Sequence, residues 1–582
     1  MTGPVFAPVR LPLAWRWLGS WVWRLEHAFE RARAAASPHD SRRRIALVMI
    51  AFGLAFFVMG IGATHQALFS GNSAEFSGAS ASPYARAALT DRNGALLAVD
   101  LPHYQLYVDP REVWDVQGTQ QALAAILPQA QAKRLNKALT GTKRAFVIGG
   151  LTPDQRTAIH DLGLPGLSFE DDERRVYPLG NTASHLIGFS DSAGSGLAGA
   201  EKALDADVRK AAVTGGSVPL SLDLRVQAAL EDELRKAANQ FTVRGAVGLI
   251  TDVHTGEILA LASYPDFDPN NAGAADPNAL VNRVAQSVFE MGSTFKIFTV
   301  AQGLDSGTVR LNSTFDVSHP LTIGTQTIHD YDKGDTTLDL PHVLLHSSNI
   351  AAAKIALAMG ADTVTGYYRN LGLFGSAPVE LAESARPLLP QKWSQNVLAS
   401  ASFGNAIAVS PLAVAAGTAA VANGGTYVPL TIRKVEPGHE PKGRRVFSPQ
   451  TSQTMLRLLR MNVLEGTGGK ADAPGFSVGG KTGSNEKVVA GRIDRNKLVS
   501  SFAAVFPADG PPEAKRYFLL VLMDEPHATK ETYGFATGGW TAAPAAGRIV
   551  SRVGPLLGLK RAPVAATDKA TVEAALASGE DH

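Results

Sequence analysis

Three short stretches of the chain place nucleophilic, basic and amide side chains at spacings that suit chemistry on an acyl group. The first is Ser293-Thr294-Phe295-Lys296, preceded by Gly292 and followed by an apolar run of helical period. Serine and lysine at i and i+3 face the same side of a helix, one turn apart. A serine hydroxyl is a weak nucleophile until a base takes its proton. A lysine amine can be that base if burial or a neighbouring cation lowers its pKa. A helix N-terminus adds a dipole that favours a developing anion. The second stretch is Ser347-Ser348-Asn349, which offers a hydroxyl to relay protons and an amide to hold a substrate peptide bond. The third is Lys481-Thr482-Gly483, within SVGGKTGS. On a strand it supplies an ammonium, a hydroxyl and a glycine that admits close backbone approach. That set suits a substrate with a free carboxylate, as a peptide C-terminus has. Each stretch alone is commonplace: a solvated helix face, a helix cap or a plain turn. Their order, with helix, loop and strand in matching places, makes them a constellation.

The elements that must position these groups are legible around them. VPLSLDLRVQAALEDELRKAANQF ends a strand and opens an amphipathic helix. AVGLITD and EILALASYP flank a turn at His254-Thr255-Gly256 and predict a hairpin. FSVGGKTGS, LVSSFAAVFP and YFLLVLMDE read as later strands, and a closing helix over residues 542–556 is broken by Pro555. Long helices lie between the first and last strands. The fold expected is an α/β catalytic domain at 221–560, with an antiparallel sheet flanked by helices. Residues 86–220 mix short strands and helices and read as one non-catalytic module, opening with a turn at Asn93-Gly94. Residues 64–85 are rich in Gly, Ser and Ala and read as a linker; residues 561–582 read as a loose tail.

The chain has 582 residues and a net charge of +2, so nothing global points to nucleic acid. It has no cysteine, which excludes disulfides and thiolate metal sites. Residues 45–63 are uncharged and almost wholly apolar, about 28 Å long as a helix, close to the thickness of a bilayer core. Arg42, Arg43 and Arg44 stand directly before them and no Lys or Arg follows until Arg86. The positive-inside rule puts residues 1–44 in the cytoplasm and the rest outside. In the tail, Trp15, Trp17, Trp21 and Trp23 alternate with arginines and suit a helix on the inner leaflet. His254, His329, His342 and His346 form no metal-ligand spacing.

The Ser-x-x-Lys, Ser-x-Asn and Lys-Thr-Gly trio resembles that of penicillin-binding proteins. The chain resembles the class B members, and among them the septal type, from the apolar segment to about residue 552. The likeness rests on LTDRNGALLA, RRVYPLGNTASHLIGF and GLAGAEKALD (with Glu201) in the first half. In the second it rests on TGEILALASYPDFDPN, NRVAQSVFEMGSTFK, SSNIA, ANGGTYV and GGKTGS. Met291, Ile297, Ala406, Ala87 and Ser484 depart from the family pattern, and none removes a chemical group from the site. The resemblance implies a membrane helix, a pedestal (dimerisation) domain and a transpeptidase domain. Ser293 attacks the carbonyl of the penultimate D-Ala of a peptidoglycan stem peptide ending D-Ala-D-Ala, and Lys296, kept neutral beside Lys481, is the base. Ser347 and Lys481 pass a proton to the departing D-Ala. Thr482 and Ser484, with Gly483 between them, hold the terminal carboxylate, and Asn349 the peptide amide. Backbone N–H groups of Ser293 and Ser484 form the oxyanion hole. No metal or other cofactor is implied. β-Lactams acylate Ser293, and a glycosyltransferase of the FtsW type and other division membrane proteins are the expected partners at the bacterial inner membrane.

Other readings are weaker. A serine β-lactamase needs a group that activates water, and nothing in the sequence singles one out. A β-lactam sensor carries several membrane helices. A pure division scaffold has no use for an intact trio. The region before the catalytic domain is too short for a strand-polymerising domain. Asp91, Arg92, Arg174 and Arg175 read as ion pairs that hold the fold.

Overall fold

The computed structural model describes residues 52–53, 85–127, 132–331, 336–489, 492–563 and 569–577. The expected tail at 1–44, the membrane helix at 45–63 and the linker at 64–85 lie outside these, apart from 52–53 and 85. Among the described residues no helix is long and apolar enough to cross a membrane.

The first half is built on strands β1 (Ala88–Thr90), β2 (Leu96–Val108), β3 (Ala145–Leu151), β4 (Leu167–Val176) and β5 (Ser217–Pro219). The long β2 pairs antiparallel with β1, β3 and β4, and β5 runs parallel to β1. The turn between β1 and β2 forms as Asn93-Gly94 predicts. Asp91 accepts from the N–H groups of Asn93 and Ala95, both at 2.8 Å, and Gly94 takes φ +89°. Residues 86–220 hold two packing centres. Leu106, Leu123, Leu135, Leu151 and Ile159 form one core of their own. Leu89, Leu97, Leu186 and Leu204 instead join the large core of the second half, beside Leu222, Val247 and Leu249.

The ion pairs expected to hold this region separate by burial. Arg175 donates to Glu201 at 2.7 Å and to Asp100 at 3.0 Å, while Arg86 donates to the other oxygen of Glu201 at 2.9 Å. Glu201 is fully buried. Among the described residues Arg174 pairs only with Asp172, at the surface.

The second half is a three-layer sandwich. Its sheet comprises β6 (Gly245–Asp252), β7 (Ile258–Tyr264), β8 (Gly479–Val489), β9 (Arg492–Phe506) and β10 (Tyr517–Asp524), in the order β8-β9-β10-β6-β7. Every pairing is antiparallel. Helices α1 (Leu224–Phe241) and α6 (Ala542–Leu556) cover one face through Leu230, Leu234, Ile549 and Val550. On the other face lie α2 (Lys296–Asp305), α3 (Asn349–Met359), α4 (Pro411–Ala422) and α5 (Pro449–Leu464). Every residue of α4 is buried, and it carries no polar side chain beyond Thr418. A helix apolar all round belongs in a core, and its alanines and Gly417 let neighbours pack close.

Three local expectations change. Strands β8 and β9 run well past the segments predicted, pairing out to Val489 and Arg492. Pro555 sits inside the last turn of α6 rather than breaking it, and the helix ends one residue later at Leu556. The tail read as loose holds a helix at Lys569–Ala577, and Lys569 ion-pairs with Glu465 at 2.6 Å.

Candidate active site

The three stretches converge. Ser293 lies in a 3-10 turn, Gly292–Phe295, and Lys296 opens α2. With three residues per turn, side chains at i and i+3 eclipse, so the lysine is brought directly to the serine. Lys296 Nζ lies 2.9 Å from Ser293 Oγ, 2.5 Å from the Ser347 carbonyl oxygen, 3.1 Å from Ser347 Oγ and 2.7 Å from Asn349 Oδ1. The Asn349 amide is oriented by its Nδ2 donating to the His329 carbonyl at 3.2 Å. Ser347 takes φ +58°, a left-handed conformation uncommon for a residue with a Cβ. That conformation turns both its carbonyl and its hydroxyl toward Lys296. Ser348 caps α3, its Oγ accepting from Ala351 N.

Lys481 and Thr482 stand on β8, the edge strand of the sheet. Lys481 Nζ donates to Thr482 Oγ1 at 3.1 Å and Thr467 Oγ1 at 3.2 Å, and Thr482 Oγ1 donates to Thr467 Oγ1 at 2.9 Å. Among the described residues Ser347 is hydrogen-bonded to Lys296 and not to Lys481, so the expected Ser347–Lys481 relay has no direct bond in this state. Ser484 is exposed at the cleft, its Oγ accepting from Gly538 N at 3.0 Å.

Backbone proximity at the nucleophile turn requires glycine at two points. A Cβ on Gly483 would come within 2.5 Å of the Met291 carbonyl oxygen and 2.4 Å of Ser501 Oγ, while Gly292 takes φ +55° and a Cβ there would fall 2.8 Å from the Ser484 carbonyl oxygen. The edge strand therefore lies directly on the Ser293 turn. The N–H of Ser293 is among the first of its turn, which have no intrahelical acceptor.

Both lysines are fully buried. Desolvation is the main force on Lys296, and the Lys481 charge adds to it; together they hold its pKa well below the usual range against the opposing pull of Asp330. Desolvation alone brings Lys481 down to about 7. The sequence leaves burial and a neighbouring cation both open as causes of a neutral Lys296; both act, and burial is the larger.

Four further residues were not singled out from sequence. Thr467, in a loop after α5, carries both Lys481 and Thr482. Asp330 accepts from Ser348 Oγ at 2.6 Å, Asn349 N at 2.5 Å and Ile350 N at 3.0 Å. Glu290 accepts from Ala406 N at 2.9 Å and Asn485 Nδ2 at 2.8 Å, tying the segment around Ala406 to β8. Gly538 supports Ser484. None has a spacing rule that a single sequence reveals; only Glu290 lies inside a motif. Past Asn485 the cleft continues as a groove lined by Phe289, Leu388, Leu389, Pro390 and Lys487.

The family comparisons agree with this geometry. Residues 246–550 match the penicillin binding protein transpeptidase domain, and residues 81–212 the penicillin-binding protein dimerisation domain. The chain is 57% identical over 560 residues to the probable peptidoglycan D,D-transpeptidase FtsI of Caulobacter vibrioides, covering 95% of each. It is 33% identical to the peptidoglycan D,D-transpeptidase FtsI of Escherichia coli K12, over 80% of this chain and 83% of that one. In fold it is similar to penicillin-binding protein 3 of Mycobacterium tuberculosis, solved with aztreonam, with a TM-score of 0.64 and 24% identity over 83% of this chain and 98% of that one. With a buried lysine set against a serine at the start of a helix, and both modules matched in order, the chain belongs to the penicillin-binding protein transpeptidase family, as a class B member of the FtsI type.

Proposed function

We propose that the protein is a peptidoglycan D,D-transpeptidase that cross-links stem peptides through an acyl-enzyme on Ser293, at the division septum. The observation that carries the reading is the contact between Lys296 Nζ and Ser293 Oγ, 2.9 Å, inside a site where both lysines are fully buried. Neutral Lys296 takes the proton of Ser293 as Oγ attacks the carbonyl of the penultimate D-Ala. The oxyanion forms against the N–H groups of Ser293 and Ser484, each such donor being worth about 3 kcal/mol. The terminal carboxylate lies against Thr482 and Ser484 near the Lys481 ammonium, and Asn349 holds the peptide amide. Collapse breaks the C–N bond; the departing amine takes the proton held by Lys296, relayed through the Ser347 hydroxyl, and Lys481 contributes its charge. An amine of a neighbouring stem then attacks the ester, and Ser293 recovers its proton. The groove beyond Asn485 takes the stem residues that precede the scissile bond.

In the cell we place residues 1–44 in the cytoplasm, 45–63 across the inner membrane and the rest in the periplasm, with 64–85 as linker, 86–220 as pedestal and 221–560 as the transpeptidase domain. Support comes from the arginine-flanked apolar run and from the substrate lying outside the membrane. A polymerase of the FtsW type is the partner we assign to the protein, in keeping with the resemblance to septal class B members. Depletion should produce filaments, rescued by the wild-type chain and not by Ser293→Ala; spherical cells would place the protein in elongation instead. Rescue of division by Ser293→Ala would turn the reading toward a scaffold.

A further inference from the structure

The carboxylate of Asp330 lies outside all three catalytic stretches, yet both of its oxygens are spent on one of them. One accepts from Ser348 Oγ at 2.6 Å, and the other from the backbone N–H groups of Asn349 at 2.5 Å and Ile350 at 3.0 Å. We propose that Asp330 is a positioning residue that locks the Ser347–Asn349 turn onto Lys296 and sets the amine's charge environment; this rests on Lys296 acting as the base.

Three features carry the proposal. First, the turn is strained: Ser347 takes φ +58°, a left-handed conformation that is unfavourable for a residue with a Cβ. Hydrogen bonds to a charged acceptor are among the strong ones, and three from one carboxylate hold such a turn. Second, α3 already has its cap, since Ser348 Oγ accepts from Ala351 N at 3.0 Å. Asp330 therefore does more than an ordinary cap: it fixes the N–H of Asn349, whose side chain meets Lys296 at 2.7 Å. Third, among the described residues the charged groups acting on Lys296 are two, Lys481 from β8 and Asp330 from the loop before α3. The immediate neighbours of its amine, from Ser293, Ser347 and Asn349, are neutral. Asp330 is thus the counter-charge to Lys481.

The test uses the full-length chain in detergent and the rate of acylation by a fluorescent penicillin, measured across pH beside the melting temperature. Asp330→Asn keeps an acceptor oxygen and removes the charge. Acylation should fall about tenfold, as expected for a small displacement of reacting groups. The ascending limb of the profile should move to lower pH, because a protonated Lys296 loses its counter-charge. Asp330→Glu should return the limb to its place while recovering the rate only in part. A limb that stays put in Asp330→Asn, or a rate loss matched by lowered melting alone, would reduce Asp330 to a helix cap and overturn the proposal. Should Asp330→Asn not fold, Asp330→Glu decides: a lowered rate with an unmoved limb supports the role, and a wild-type rate overturns it. A wild-type profile with no ascending limb would overturn the role of Lys296 as base and this proposal together.

Discussion

Lys296 Nζ makes its two shortest contacts, 2.5 Å and 2.7 Å, to the Ser347 carbonyl and Asn349 Oδ1, groups that only accept, and its contact to Ser293 Oγ is 2.9 Å. A neutral amine has two N–H groups and one lone pair. Spending both N–H groups on the two obligate acceptors leaves the lone pair for a hydroxyl proton. That arrangement suits the proposed role of Lys296 as the base for Ser293.

The pH dependence follows. Acylation needs Lys296 neutral, and burial beside Lys481 lowers its pKa, so the rate rises with pH through a midpoint well below that of an ordinary lysine. In the proposed mechanism carboxylate binding needs Lys481 charged, and burial brings its pKa down to about 7. Acylation by penicillin, as a second-order rate constant, should be bell-shaped with its descending limb near that value. A profile still rising above pH 9 would contradict the role of Lys481.

Gly483 tests the contact between edge strand and nucleophile turn. Its Cβ would fall 2.5 Å from the Met291 carbonyl oxygen and 2.4 Å from Ser501 Oγ. Gly483→Ala should push β8 off the Ser293 turn and lower acylation about a hundredfold, since a shift of 1 Å can cost that much. Stopped-flow acylation with circular dichroism as a folding control measures it.

Ala406 occupies a left-handed position, φ +63°, where the family resemblance leads one to expect glycine. Ala406→Gly should relieve strain that outweighs the added freedom of the unfolded chain, stabilising by roughly 0.5–1 kcal/mol. Its N–H to Glu290 is kept, so acylation should be unchanged. Thermal melting and penicillin labelling report the two effects.

In the pedestal, Glu201 is buried between Arg86 and Arg175. Glu201→Ala leaves two buried guanidinium groups facing each other and should cost about 3–5 kcal/mol. Arg174→Ala removes a surface pair and should cost less than about 0.5 kcal/mol. Chemical denaturation distinguishes the two.

Much of this was legible in the sequence because it was local. The hairpin at His254-Thr255-Gly256, the Asn93-Gly94 turn and the three catalytic stretches are each written within a few residues. What stayed hidden is long-range. Asp330 reaches forward to Ser348, and Thr467 supports a lysine on another element; no period or spacing announces such contacts. The two packing centres of residues 86–220 were likewise invisible, because Leu89 and Leu106 look alike until one joins the catalytic core and the other does not. The helix at Lys569–Ala577 was missed because an Ala-rich polar segment carries little amphipathic signal.

The central claim is that Ser293 is the acylated nucleophile. Incubating the full-length chain with penicillin, digesting it and mapping the adduct by mass spectrometry tests this directly. A single penicilloyl group on Ser293, absent in Ser293→Ala, is the predicted result; an adduct on another residue, or labelling that survives Ser293→Ala, would contradict it.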